Sequence, residues 1–431
     1  MNKILTPFLA LCAALAAHTA QAYTTPKLPA IPAGSFNIVK YGAVGDGVAT
    51  NTAAIQAALD AASAAGGGTV ELPSGIYLSG PLHLASGINF HLDAGAILEM
   101  LPLDKYPGGT GDPENFITGS GLHDISITGS GMINGQGIPW WPYAKTFGAR
   151  RPIMIRLTSC TRLLIENVTL TNSPMFHIAI SGGSSDVTVR GVTIRANPSS
   201  DPVNPGHNTD ACDVGGHNIL VENCDISVGD DDFTCSGHTS DVLITNNTYG
   251  FGHGVSIGSF TAGGVSNITV INCTFNGTEQ GIRIKSDRGR GGYVHNLKYL
   301  NLSMTNVIFP ILIYGTYTAT NHEYRDLARL TPDTAVTFPR RTVINSTPIY
   351  SDFLFSNITA TVQPEGRAGL IWGLPEMNVS NVVMQQVNIT ADKPFGIYDA
   401  QNISLIDSKI ATPDGINKLS VTNAQINIVP E

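Results

Sequence analysis

The sequence predicts an all-β chain wound as a parallel β-helix, a solenoid whose coils stack into long sheets, and three observations predict it. First, a six-residue phrase recurs: an aliphatic residue, a spacer, Asn or a small residue, then alternating apolar positions. It starts at Ile165, Val189, Val221, Ile244, Val270 and Tyr299, and looser copies start at Phe355, Met384 and Leu405. Spacings of 23 to 32 residues between the first six are the mark of a repeat architecture. Second, each phrase alternates in the manner of a strand and is bounded by Gly, Asn, Asp or Ser. Third, charged residues make up 13% of the 431, about half the ~25% usual in soluble domains, while glycines number 46. A leucine-rich repeat is the main competitor for that period. Here the aliphatics are mostly Val and Ile, and no helical stretch separates the phrases.

Taken from the N-terminus, the elements justify themselves in turn. Residues 1–22 read as a secretory signal, with Lys3 before an apolar run and Ala20-Gln21-Ala22 as the cleavage site. A secreted protein, extracellular or periplasmic, is therefore expected. Asn51 or Thr52 is placed to cap a helix running to about Ala65, with Ile55, Leu59 and Ala62 on one stripe and Gly66 to Gly68 ending it. Such a helix would lid the first coil of an otherwise open solenoid. Asparagines within the phrases are expected to stack as inward ladders or to occupy left-handed corners. Between Thr318 and Thr347 the repeat lapses into a polar stretch, expected as a loop on one rim, and then resumes. The chain thus reads as one domain over 23–431. Five cysteines follow the leader, Cys160, Cys212, Cys224, Cys235 and Cys273. They are expected as buried thiols, with a single disulfide among Cys212, Cys224 and Cys235 as the alternative.

Four local clusters carry candidate chemistry: Asn208-Thr209-Asp210, Gly229 to Asp232, Gly252-His253-Gly254 and Arg283-Ile284-Lys285. They lie 20, 23 and 30 residues apart, about one coil each, so stacking would bring them onto neighbouring rungs ~4.8 Å apart on one face. In Gly281 to Lys285, alternation sends Ile282 and Ile284 to the core and both cations outward. An Arg fork and a Lys point charge side by side suit a sugar carboxylate. Asp230 and Asp231 are adjacent and cannot both face a cleft from a regular strand, so a corner or bulge is required there. Crowded carboxylates divide their pKa values, keeping one protonated as an acid while a neighbour stays ionised as a base. Taken singly, each aspartate reads more readily as a turn residue; the coil register of all four clusters is the signal.

That ordered set, NTD, GDD, GHG and RIK, resembles the polygalacturonase family of glycoside hydrolases. The likeness extends from Phe36-Asn-Ile-Val-Lys-Tyr-Gly42 through about residue 317, with Gly252 to Ser259 and Gly281 to Ser286 its most specific stretches. The resemblance implies a right-handed helix and hydrolysis, with inversion, of α-1,4 bonds between galacturonate units of pectin. It implies Asp230 as general acid, Asp210 and Asp231 as activators of water, and His253 as their aid. Arg283 and Lys285 would grip carboxylates, Asn208 would contact substrate, and Tyr317 or Tyr314 would line the subsite. Asp232 departs from the family pattern, which leaves open which two of the three aspartates pair. One-coil spacing alone would suggest the ~5 to 5.5 Å carboxylate separation of retaining enzymes.

The net charge of −9, and the lack of a basic stripe, argue against a nucleic-acid partner, and no run after the leader is long enough to span a membrane. An acidic polysaccharide is the expected partner, met by the local run of four cations from Arg283 to Arg290. No cofactor or metal is expected, and a monomer is. The alternatives are a Ca²⁺-dependent pectate lyase using aspartates 210, 213 and 230–232, a rhamnogalacturonan or xylogalacturonan hydrolase, and a β-helix adhesin that binds glycan without cutting.

Overall fold

The repeated phrase owes its form to a corner. Its third residue adopts the left-handed conformation in every copy: Asn167, Gly191, Asn223, Asn246, Asn272 and Asn301 have φ between 53° and 62°. That reversal lets the first, fourth and sixth residues all point inward, as Val270, Cys273 and Phe275 do at 0–1% exposure. A left-handed residue with a β-carbon costs roughly 1–2 kcal/mol unless it is Asn or Asp, whose short polar side chain bonds locally. The corner asparagines stack along the outside, Asn301 on Asn272 at 3.2 Å and Asn357 on Asn301 at 2.9 Å. A second file runs from Asp241 through Asn267 to Asn296 at 2.9 and 2.7 Å. The ladder and the corner are therefore one feature, and it faces outward or half-outward rather than inward. Asn247 is the inward exception, 1% exposed, bonding the Cys224 N–H at 2.8 Å and the Val221 carbonyl at 3.1 Å.

The computed structural model describes residues 23–317 and 331–429. The expected leader and the stretch 318–330 of the expected insertion lie outside them. Among the described residues, 33 strands join one sheet system, paired in parallel between successive coils. The architecture is a parallel β-helix. The single antiparallel strand pair among the described residues, Lys409–Thr412 with Gly415–Ile416, comes near the C-terminal end. Apolar columns fill the interior, for example Ile178, Cys212, Phe233, Val255 and Ile282, one per coil. All five described cysteines are free and buried, Cys224 and Cys273 at fourth positions of the phrase. The disulfide alternative finds no pair. None of the helices is long and apolar enough to cross a membrane among the described residues.

The helix Thr52–Ala64 buries Ile55, Ala58, Leu59 and Ala62 against the first coil. Neither capping candidate caps it with a side chain. Asn51 instead accepts from Val44 N and donates to the Val44 and Ala49 carbonyls, while Thr52 Oγ1 accepts from Gly80 N at 2.7 Å. Both side chains tie the helix entry to the coil it covers. After the gap, residues 331–348 carry a short helix, Pro332–Thr337, and no strand. Phe338 packs edge-on against Trp372, and Arg288 reaches the Pro339 carbonyl at 2.9 Å.

Candidate active site

Four strands supply one outward column. Asp213 pairs with Thr234, Thr234 with Ser256, and Ser256 with Arg283, each a coil further on. The candidate residues flank that column. Asp210 precedes strand Cys212–Glu222, Asp230 and Asp231 precede Phe233–Cys235, and His253 precedes Val255–Ile257. Ala211 N donates to the Asp231 carbonyl at 2.9 Å and His253 N to the Asp230 carbonyl at 2.8 Å, so the loops stack as rungs. Because Asp230 and Asp231 lie outside regular strand, both carboxylates reach the groove. The next residue turns the other way: Asp232 is fully buried, accepting from Gly254 N at 2.9 Å, and burial pushes its carboxyl well above the usual range. Its carboxyl is thus not among those that line the groove. Gly252 and Gly254, at φ +140° and +68°, permit the turn. A β-carbon on Gly254 would lie 2.1 Å from the Gln280 carbonyl, and one on Gly252 would strike the Asp232 carboxyl.

Asp231 is clamped. Its Oδ1 accepts from Ser256 Oγ at 2.7 Å and from Arg283 Nη2, and its Oδ2 accepts from Lys285 Nζ at 2.8 Å. Burial works against its charge, but Arg283 and Lys285 prevail and hold it below the ordinary carboxylate range. Ile282 and Ile284 do point into the core, and the two cations leave the strand together on the groove side.

His253 sits between two carboxylates. Its Nδ1 is 3.0 Å from Asp230 Oδ1 and its Nε2 is 3.0 Å from Glu279 Oε2. Burial would lower its pKa, yet the Asp230 charge and the bonds to Asp230 and Glu279 outweigh burial and the repulsion of Arg283, raising it to about 10. The imidazolium in turn overcomes burial at Asp230 and holds that carboxyl low, helped by Lys285 and Arg283. Asp210 has no such cation in contact. Its Oδ1 is buried without a hydrogen-bond partner. Burial first, then the charges of Asp230 and Asp231, push it well above the ordinary value. Asp210 is therefore the carboxyl that favours its proton, while His253 holds Asp230, and Arg283 and Lys285 hold Asp231, on the ionised side.

The groove encloses about 520 Å³ and is lined by Asn208, Asp210, Asp230, Asp231, Lys285 and Tyr317 together with their neighbours. Asn208, left-handed at φ 55°, donates to Asp230 Oδ2 at 3.3 Å. Tyr317 lies 5.5 Å from Lys285 Nζ, ring face towards the cation. Tyr314, the other candidate, is 1% exposed in a cluster with Trp372 and Tyr398; it does not line the groove itself but backs Tyr317, with ring centroids 6.0 Å apart.

Three residues that the sequence reading does not single out complete the site. Ser256 could have been found by alternation, since it is the outward residue between Val255 and Ile257. Glu279 follows His253 by one coil, a weaker signal. Arg151 gave none: it reaches across from an earlier coil to hold Asn208 Oδ1 at 2.9 Å and the Pro174 and His207 carbonyls. Asp213 also lines the groove, and burial, only partly relieved by Arg156, raises it to about 6.

Asp230, Asp231 and His253 form the one group among the described residues with ligand atoms close enough for a metal ion, all within 4.8 Å. The fit is poor. An ion there would have to displace the His253 proton and compete with Lys285 and Arg283 for Asp231.

With this geometry in view, residues 65–412 match the model of glycosyl hydrolases family 28. The chain belongs to that family. It is 30% identical to an endo-polygalacturonase of Pectobacterium carotovorum subsp. carotovorum over 387 residues, 81% of this chain and 86% of that protein. It is 33% identical to a probable polygalacturonase of Arabidopsis thaliana over 290 residues, 66% of this chain but 61% of the relative's length. Among solved structures, the polygalacturonase of Erwinia carotovora ssp. carotovora aligns at TM-score 0.65 and 26% identity, covering 94% of this chain and 99% of the other. A family 28 exopolygalacturonase of Yersinia enterocolitica aligns at TM-score 0.75 and 20% identity, over 93% and 79%, which speaks to the fold alone. As a member of family 28 the chain is a glycoside hydrolase.

Proposed function

We propose that the protein hydrolyses α-1,4 bonds between galacturonate units of pectin or polygalacturonate, outside the cytoplasm, by an inverting mechanism. One observation carries the reading: Arg283 and Lys285 meet at the Asp231 carboxylate beside Asp210 and Asp230. Cations that grip an anionic sugar thus stand next to the groups that would cut its linkage. The polygalacturonase relatives support the same substrate class.

In this mechanism Asp230 gives a proton to the glycosidic oxygen. Asp230, itself ionised, receives that proton from the His253 imidazolium 3.0 Å away, and Glu279 on the far ring nitrogen stabilises the charged imidazole before the transfer. Asp231, held ionised, takes the proton of the attacking water, and the unpartnered Asp210 oxygen gives that water its second contact. Asn208, fixed by Arg151, positions Asp230 and meets substrate; Tyr317 forms the subsite wall by Lys285. Three carboxylates leave room for a water between two of them, as inversion requires.

The test is digestion of de-esterified polygalacturonate, with early products read by proton NMR. New reducing ends of inverted anomeric configuration are expected. An unsaturated, ultraviolet-absorbing product abolished by chelator would replace the reading with elimination, and binding without cleavage would replace it with adhesion. Sizing the products over time separates endo from exo action.

A further inference from the structure

The run Arg283 to Arg290 holds four cations, and three of them are answered by carboxylates of the chain itself. Arg283 and Lys285 close on Asp231, and Arg288 makes a two-pronged pair with Glu376 at 2.6 and 2.9 Å. Arg290 differs. Its guanidinium lies over the Phe260 ring at 4.5 Å, and its Nη1 donates to Ser259 Oγ at 3.1 Å. Among the described residues no carboxylate pairs with it. Phe260 is 61% exposed and, with Ser259, lines the same groove as Asp210 and Lys285.

Backbone contacts fix the two residues beside the candidate catalytic groups. Thr261 N and Ala262 N both donate to the Arg290 carbonyl, at 2.9 and 3.1 Å, and Ser286 Oγ donates to the Ser259 carbonyl at 2.9 Å. The Phe260 loop is thus stacked directly on the coil that carries Lys285. An aromatic face left in water at a groove, backed by an unneutralised guanidinium, combines a sugar-stacking surface with a carboxylate receptor.

We propose that Phe260, Ser259 and Arg290 form a second sugar subsite adjoining the candidate catalytic one. It takes the neighbouring uronate unit of an acidic polysaccharide, the sugar against the free part of the Phe260 ring and its carboxylate on Arg290 and Ser259. The assignment rests on the polygalacturonate reading above, and it gives the groove a second point of charge recognition, separate from Arg283 and Lys285.

Initial-rate kinetics on polygalacturonate at low and high salt test it, with wild type, Arg290→Gln, Arg290→Lys and Phe260→Ala. Arg290→Gln should raise KM about tenfold at low ionic strength with kcat changed by no more than about twofold. That gap should shrink in about 0.5 M salt, because an exposed charge contact is screened. Arg290→Lys should recover part of the loss, and Phe260→Ala should raise KM by a factor that salt does not erase. An unchanged KM in Arg290→Gln, or a gap indifferent to salt, overturns the subsite while leaving the wild-type activity standing. Failure of the wild type to cleave polygalacturonate would instead overturn the functional reading and the subsite with it.

Discussion

Replacing Asp231 by Asn would strip from two cations the carboxylate that both are bonded to. Arg283 and Lys285 are 6% and 5% exposed, and both donate to that one carboxylate. Breaking a buried pair by removing one partner costs about 3–5 kcal/mol, since the other charge is left uncompensated. An unfolding entropy of ~2.1 cal/mol/K per residue over roughly 400 residues gives about 0.8 kcal/mol/K, hence a fall in Tm of about 4–6 °C. Asp210→Asn is the matched control. Burial and the Asp230 and Asp231 charges oppose ionisation of the Asp210 carboxyl, so a neutral isostere removes no favourable charge. Its folded pKa exceeds the unfolded value, so the native state binds more protons and loses stability as pH rises above ~4. Asp210→Asn should therefore match or exceed wild-type stability at neutral pH, while Asp231→Asn falls below it. Thermal and denaturant unfolding of the three proteins in one buffer decide the matter. Equal stability of Asp231→Asn and wild type, or equal losses in the two variants, would refute the charge distribution drawn for the site.

Asp210→Asn, Asp230→Asn and Asp231→Asn should each lower turnover on polygalacturonate by about a hundredfold or more; normal turnover in all three would dismiss the site. Lys285→Ala should act chiefly on binding, raising KM by roughly tenfold, and an effect confined to kcat would contradict its role. Glu279→Gln should bring the His253 pKa down from about 10 by roughly one unit, visible in an NMR titration of the imidazole. The sign follows from the raised folded value: the His253 contribution to stability is whole below pH ~6.5 and is lost as pH climbs towards ~10, and Glu279→Gln draws that loss to lower pH. Asp213, raised to about 6, has the same sign, costing the wild type stability as pH rises from ~4 to ~6, so Asp213→Asn should gain on wild type over that range and hold the gain above; a gap already full at pH 3 would speak against it. Gly254→Ala should misplace His253, because its β-carbon would collide with the Gln280 carbonyl at 2.1 Å, and circular dichroism should show the solenoid intact while turnover is lost.

The winding was legible because a solenoid is a local rule repeated. The phrase that starts at Ile165 and recurs through Tyr299 contains its own corner in a left-handed Asn or Gly. Coil length then converts sequence spacing into spatial stacking, and that was enough to bring Asp210, Asp230, Asp231 and Lys285 to one groove, with His253 and Arg283 in contact behind them. Alternation alone put Arg283 and Lys285 on the groove side of their strand. The capping role of Asn51 and Thr52 was misread, because a side chain able to cap can equally bond a neighbouring coil, and only the packed coil decides between the two.

What the sequence could not decide was who touches whom, and with what charge. The same residue type stands at 210, 230, 231 and 232, yet one is pushed towards its neutral form beside the groove, one faces His253, one is clamped by two cations and one is sealed in the core. Those differences come from groups 20 to 80 residues away along the chain, Arg151 and Glu279 among them, through distances of about 3 Å that no repeat period encodes. Periodicity specifies which residues share a column. Burial and charge, which set protonation, exist only once the coils have closed on one another.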